Sequence, residues 1–383
     1  MIDYQLGALM RFTQFNFDPN ILSGIGDAGY INPTPIQQQT IPPILQNKDV
    51  IGLAQTGTGK TAAFVLPILQ RLVSRSSAKR NALPRALIMA PTRELAEQIH
   101  ENIEMMAIQT AIRGLAIYGG VGKNPQRKTL RKGVDIIVAC PGRLLDLMNE
   151  NVLSLKDIEI LVLDEADQML DMGFLPDIKR IIRYLPKKRQ TLVFSATMPK
   201  EIHHLTQNIL RHPVKVQINH TLPAPRITHG RFNIQKNKRT ALLKKLFASN
   251  GMASTLVFTR TKHKARSLAI QLKKSGFSAV SLQGNLSQNQ RRKAMNGFRK
   301  GSFKIMVATD IAARGIDVSG VSHVINYDLP DTVETYIHRT GRTGRADQSG
   351  QAYTFASVED GKMISLIEKA LGKKMIDQSS LPV

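Results

Sequence analysis

The segment Ala54-Gln55-Thr56-Gly57-Thr58-Gly59-Lys60-Thr61 admits very few local folds. It follows the short apolar run Asp49-Val50-Ile51-Gly52-Leu53 and leads into a helix-forming stretch, so the chain must pass from strand through a glycine-bearing turn into a helix start. Glycines there let successive backbone N–H groups point at one place, Lys60 adds a point charge, and the Thr61 hydroxyl suits a Mg²⁺ ligand. Such a loop is built to cradle the phosphates of a nucleoside triphosphate. Gln55, Thr56, Gly57, Thr58, Gly59, Lys60 and Thr61 are the candidate contacts. The general pattern begins with Gly, and Ala54 stands in that place, which removes one permissive backbone position.

Around this loop, short β-branched runs alternate with helical stretches. Ala86–Met89, Val134–Val138, Ile160–Leu163 and Thr191–Phe194 read as strands buried on both faces of a parallel sheet. Polar chemistry directly follows each: Pro91-Thr92-Arg93-Glu94, Cys140-Pro141-Gly142-Arg143, Asp164-Glu165-Ala166-Asp167 and Ser195-Ala196-Thr197. Open α/β sheets place ligands at such strand ends. A second series follows residue 228, with strands expected at Thr255–Phe258, Ala279–Leu282, Lys304–Val307, Val324–Tyr327 and Ala352–Phe355. The Pro-rich stretch Thr221-Leu222-Pro223-Ala224-Pro225-Arg226 reads as a linker. The expected fold class is therefore α/β, in two tandem domains, each a mainly parallel sheet flanked by helices. Their expected bounds are 1–216 and 229–370, with a linker at 217–228 and a short, fraying tail at 371–383.

Composition narrows the partners. The 383 residues carry a formal net charge of +24. Residues 1–218 hold 26 Lys and Arg against 19 Asp and Glu, whereas residues 219–383 hold 27 against 10. An excess on this scale favours a polyanion, because neutralising phosphates releases counterions. Charge alone leaves RNA, DNA and a membrane surface open. No apolar run reaches membrane-spanning length, and the opening Met1-Ile2-Asp3-Tyr4-Gln5 lacks a secretory pattern, so a cytoplasmic protein is expected. The single cysteine, Cys140, excludes an intrachain disulfide and a cysteine-based zinc site, and the nine histidines show no metal-ligand spacing.

Asp164 and Glu165 stand at the tip of a buried strand in the same domain as the phosphate loop. Asp164 is the expected Mg²⁺ partner, and Glu165 the group that positions or deprotonates an attacking water. Asp164-Glu165-Ala166-Asp167 also spells the signature of the DEAD-box RNA helicases, and other segments resembling that family occur in order from Phe12 to about Leu371. The resemblance implies tandem RecA-like domains, ATP and Mg²⁺ as cofactors, and RNA-stimulated ATP hydrolysis. Gly29-Tyr30-Ile31-Asn32-Pro33-Thr34-Pro35-Ile36-Gln37 is similar to the family's adenine-reading segment: Tyr30 would stack on adenine and Gln37 bond its edge, with Phe12 at the upstream aromatic position. Pro91, Thr92, Arg93, Gly120, Pro141, Gly142 and Arg143 fall in segments that hold the RNA backbone in the family, while Ser195 and Thr197, with Asp167, fall where hydrolysis is linked to strand separation. Cys140 stands where Thr is usual; a thiol is a poorer phosphate donor, and a small buried strand-end hydrophobe is its expected role.

In the second half, Tyr336-Ile337-His338-Arg339-Thr340-Gly341-Arg342-Thr343-Gly344-Arg345 spaces three arginines by three, which on a helix shares one side. The resemblance makes Arg342 and Arg345 fingers on the γ-phosphate and puts His338 in the coupling network. It places Arg314, Gly315 and Asp317 toward the nucleotide, and Arg260, Gln283, Gly284, Asn285, Gln288, Arg291 and Thr309 toward RNA. It further implies that the two domains close around both ligands and melt a short duplex locally. An RhlE-like bacterial subgroup is the expected branch, and a monomer the expected form, with ribosome assembly and RNA decay both open as settings. Two other readings stay open at this stage: an ATP-gated RNA clamp or annealing factor, and a DNA-acting helicase of the same architecture.

Overall fold

The computed structural model describes residues 10–55, 57–74, 83–218, 227–249, 252–313, 321–344 and 349–379. The chain divides into two compact units, 1–219 and 220–383. Each is built on one seven-stranded sheet, and every strand pairing in the described residues is parallel.

In the first unit the strands are β1 Val50–Leu53, β2 Ala86–Met89, β3 Gly114–Ile117, β4 Ile136–Ala139, β5 Ile160–Leu163, β6 Gln190–Ser195 and β7 Val214–Gln217. They lie in the order β3-β4-β2-β5-β6-β1-β7. Because side chains alternate along a strand, the sheet serves two cores. Val50, Ile88, Val162, Leu192 and Phe194 enter one; Ile51, Leu87, Leu161, Leu163 and Val193 enter the other. This is why the central strands read as unbroken apolar runs. Phe64, from the helix Lys60–Val73, packs on Phe194 with ring centroids 5.2 Å apart and both rings fully buried. Truncating either to Ala would cost about 3 to 5 kcal/mol.

The second unit repeats the plan with β8 Ile227–Asn233, β9 Thr255–Phe258, β10 Ala279–Leu282, β11 Ile305–Ala308, β12 His323–Asn326, β13 Gly350–Ala356 and β14 Ile376–Asp377, in the order β10-β11-β9-β12-β13-β8-β14. Four strands lie outside the expected set: β3, β7, β8 and β14. The region expected as a fraying tail continues instead into Met375, 5% exposed, and into β14, which pairs with β8 through Ile376 and Asp377. The apolar side chain of Met375 joins the core of Ile364, Ile367 and Leu371, and that anchors the segment. Most of the expected linker lies outside the described residues.

Candidate functional site

All seven strands of the first sheet run the same way, so their C-terminal ends form one edge. The strand order divides that edge in two. The phosphate loop leaves β1, Asp164 to Asp167 leave β5, and Ser195 to Thr197 leave β6, three adjacent strands. Pro91 to Arg93 leave β2, Gly119 and Gly120 follow β3, and Cys140 to Arg143 leave β4, the three strands alongside. The triphosphate candidates and the RNA candidates therefore occupy neighbouring halves of one sheet edge.

The phosphate loop is held by its own polar groups. Thr58 Oγ1 donates to Gln55 O at 2.8 Å and Lys60 Nζ to Ala54 O at 2.7 Å, which keeps the buried ammonium inside the loop. Gly57 has φ 85° and Gly59, the residue preceding the helix Lys60–Val73, has φ 91°. A Cβ on Gly59 would also lie 2.6 Å from Gln37 Nε2, so a side chain there meets both backbone strain and a clash. Thr56 lies outside the described residues. Gln37 is fully buried: its Oε1 accepts from Thr34 N at 2.8 Å, capping the helix Pro35–Leu45, and its Nε2 donates to Gly59 O at 3.0 Å. The amide expected to read adenine thus also braces the phosphate loop. Phe12 is 3% exposed and meets the half-buried Tyr30 edge-on, at 6.2 Å and 82°, so any action of Phe12 on a base passes through Tyr30.

At the tip of β5, Asp164 and Glu165 are 2% and 3% exposed. Burial pushes the Asp164 carboxyl up to about 7, with Lys60 opposing the rise and Glu165 adding to it. Asp164 Oδ1 accepts from Glu165 N at 3.0 Å, and Glu165 itself sits at φ 51°, a left-handed conformation costly for a residue with a side chain. Asp167 is spent on the neighbouring loop. Its Oδ2 accepts from Ala196 N at 3.2 Å, Thr197 N at 2.8 Å and Thr197 Oγ1 at 3.0 Å, while its own N–H donates to Ser195 Oγ at 3.1 Å. Residues at the ends of β5 and β6 are thereby joined, which the sequence expectation placed together and the structure explains.

On the other half of the edge, a Cβ on Gly120, φ 81°, would lie 1.9 Å from Arg93 Nη1. The guanidinium lies flat against bare backbone. Arg143 Nη2 donates to Val121 O at 3.1 Å, and Thr92 Oγ1 caps the helix Arg93–Met106 through Leu95 N at 3.2 Å. Pro141 opens the helix Pro141–Asn149 with Gly142 beside it, and Cys140, its N-cap, makes no side-chain cap bond. Burial pushes the Cys140 thiol up to about 12, so it stays neutral and serves as a small core side chain.

In the second sheet, Arg260 follows β9, Gln283 to Asn285 follow β10 and Thr309 follows β11, again three adjacent strands. Gln283 Oε1 accepts from Asn285 N at 2.7 Å, and Arg291 reaches Gln283 O at 3.4 Å and Ala312 O at 3.2 Å, tying the β10 and β11 ends together. Of Gln288 the structure describes the backbone alone, at the start of the helix Gln288–Arg299. The arginine run departs from expectation. The helix Val333–Thr340 stops before Gly341, and Thr343 Oγ1 bonds Val321 O at 2.5 Å and Ser322 O at 3.0 Å, so Arg342 does not continue the side that carries Arg339. Arg342 is 4% exposed, and His338 is half-buried on the helix. Arg314, Gly315, Asp317 and Arg345 lie outside the described residues.

Arg339 shows what the sequence reading missed. Its Nε and Nη2 donate to Asp310 Oδ1 and Oδ2 at 2.6 and 2.8 Å, and its Nη1 donates to Asn326 Oδ1 at 3.0 Å and Asp328 O at 2.7 Å. Asp328 Oδ2 in turn accepts from Arg260 N at 2.9 Å. Asp310 and Asp328 thus position the arginine segment against the strand ends expected to face RNA. Their signal was a carboxylate just past a buried strand.

The DEAD/DEAH box helicase family matches residues 34–205, and the helicase conserved C-terminal domain matches residues 237–347. The chain belongs to the DEAD-box ATP-dependent RNA helicases. It is 40% identical to the DEAD-box ATP-dependent RNA helicase CshA of Geobacillus kaustophilus over 96% of its own length and 78% of that protein's. It is 41% identical to the DEAD-box ATP-dependent RNA helicase 30 of Arabidopsis thaliana, covering 95% and 62%. The fold resembles S. cerevisiae Dbp5 bound to RNA and ADP BeF3, with a TM-score of 0.85, 32% identity and coverage of 97% and 95%. CshA-type helicases, rather than RhlE-like ones, are the bacterial relatives that these comparisons bring out, and the RhlE-like assignment gains no support. Among the described residues of this DEAD-box chain, no helix is long and apolar enough to cross a membrane.

Proposed function

We propose that this helicase couples RNA-stimulated ATP hydrolysis to local, non-processive opening of short RNA duplexes or remodelling of RNA–protein complexes. One observation carries the reading: a single sheet edge holds the triphosphate loop and acids on β5, β6 and β1 and the RNA candidates on β3, β4 and β2, with the β5 and β6 ends bonded through Asp167. Lys60, already inside the loop, would transfer its ammonium from Ala54 O to phosphate oxygens. Thr61 and Asp164 offer a hydroxyl and a carboxylate, hard oxygen donors that fit Mg²⁺, which keeps most of its shell for water and phosphate. When bound, the ion would neutralise charge on the phosphates.

Glu165, held at the strand tip by its left-handed backbone, positions the attacking water and accepts its proton. A change at the phosphates reaches the β6 loop because Asp167, two residues beyond Glu165, holds Ser195 to Thr197. RNA backbone contacts on Arg93 and Arg143 are phosphate-directed, so binding is largely independent of sequence and falls with salt. We place the work in the cytoplasm, where a buried, neutral Cys140 suits reducing conditions.

The test is steady-state ATP hydrolysis with and without generic single-stranded RNA, run beside release of a short duplex with ATP or a non-hydrolysable analogue. Stimulation by RNA and ATP-dependent release support the reading. Hydrolysis indifferent to RNA would sink it.

A further inference from the structure

The opposite, N-terminal edge of the first sheet carries a cluster of cations that the catalytic reading does not use. Lys48 precedes β1, Arg183 ends the helix Leu175–Arg183, Lys187, Lys188 and Arg189 precede β6, and Arg211 precedes β7. Strands β6, β1 and β7 are neighbours, so three loops bring these residues to one edge. Hydrogen bonds lock the loops together: Gln190 Nε2 donates to Lys48 O at 2.7 Å, Arg211 Nη2 to Lys187 O at 3.1 Å, and Arg189 Nη1 to Pro186 O at 2.8 Å.

Carboxylates at this edge are already engaged. Asp49, 6% exposed, accepts Thr191 N at 2.8 Å and Arg211 N at 2.6 Å, and Glu159 holds Arg71 at 3.5 Å and Arg85 at 2.7 Å. Among the described residues, none of the six cations makes a salt bridge, and Lys48, Arg183, Lys187, Lys188 and Arg211 are exposed. Burial lowers the Arg189 guanidinium from its ordinary value, with Asp49 raising it and the like charge of Arg211 lowering it further, as expected where cations are crowded. Beside them Tyr184 stands 62% exposed. Crowded like charges destabilise a compact state unless something neutralises them, and an aromatic face among cations suits a stacked base.

We propose that this edge is a second RNA-binding surface, which takes the phosphate backbone of a segment outside the catalytic edge. The inference rests on the helicase reading above. Strand β1 is four residues long, so the two edges are separated by about 13 Å of strand. A strand bound at the catalytic edge could reach the second surface only if it extends well past it. RNA is favoured over an acidic protein because the cations lie on loops without an apolar groove between them, and because Tyr184 offers stacking.

The test compares the full chain with the variant Lys48→Glu, Lys187→Glu, Lys188→Glu, whose exposed ammonium groups make no salt bridge among the described residues. RNA of about ten nucleotides, within the usual site size, and of about forty nucleotides are used in ATPase stimulation and binding at several salt concentrations. We expect equal stimulation by the short strand, which also shows that the variant is folded. For the long strand we expect affinity to fall about tenfold or more and the slope of log K against log salt to shrink by about 2, for three charges removed. A milder Lys187→Gln, Lys188→Gln variant should move the same quantities part-way. Unchanged long-strand affinity and slope would overturn the proposal, as would loss confined to anionic vesicles or an acidic peptide. Absence of stimulation by either strand in the unmodified chain would overturn the helicase reading and this inference with it.

Discussion

Asp164→Asn gives the sharpest physical test of the site, because the same burial that raises the carboxyl should make it a stability burden. The ordinary value of 3.8 rises to about 7 in the folded chain, chiefly through burial. A carboxyl raised in this way keeps its proton longer when folded than when unfolded. Its stabilising contribution is therefore fully present below about 4 and is lost as pH rises through about 7. The displacement sets a ceiling of about 4 kcal/mol above that window. Asparagine keeps an oxygen for Glu165 N but never ionises, so the loss disappears. Lys60 loses a charged partner in the variant, and because that cost varies little between pH 5 and pH 8, the pH dependence isolates the ionisation.

Relative to the parent, the variant should gain about 3 kcal/mol more at pH 8 than at pH 5. In a domain of this size that is a difference of about 6 to 12 °C in the shift of the melting temperature. Calorimetry of the nucleotide-free chain at the two pH values measures it, and ATP hydrolysis should be lost throughout. An equal shift at both pH values would show that Asp164 is ionised in the fold and that its burial is compensated.

The other expectations are narrower. Glu165→Gln should retain ATP and RNA binding, read by fluorescence titration, while hydrolysis falls by a factor of about 10² or more. Gly120→Ala should displace Arg93 and add about 1 kcal/mol of backbone strain, weakening RNA binding while the KM for ATP holds. Arg339→Met leaves Asp310 without its bidentate partner and should destabilise the chain by about 3 to 5 kcal/mol, seen in urea unfolding.

The legible parts of the fold were those in which burial leaves a one-sided trace. β2, β4, β5 and β6 are apolar on both faces and stood out as runs. β3 is half-exposed for most of its length, β7 alternates, and β8 carries Thr228, His229, Gly230 and Arg231, so none has that signature. His229 is buried there because its Nδ1 meets Tyr336 Oη at 2.8 Å, a partner 107 residues away. In the site, the phosphate loop and the paired acids were legible because their chemistry is local. Asp310 and Asp328 were not, since their partner Arg339 lies 29 and 11 residues away and only the fold unites them. The helical reading of the arginine run failed at Gly341, where bonds from Thr343 to Val321 and Ser322 outweigh the period of three.

Asp167 Oδ2 receives three donors from one loop, while the same residue's N–H returns a bond to that loop. The peptide after Glu165 and the peptide after Phe194 therefore behave as a single part with two chain entries. An engineer exchanging either segment with a relative would have to transplant both, and a substitution in one should be rescued most readily by a change in the other.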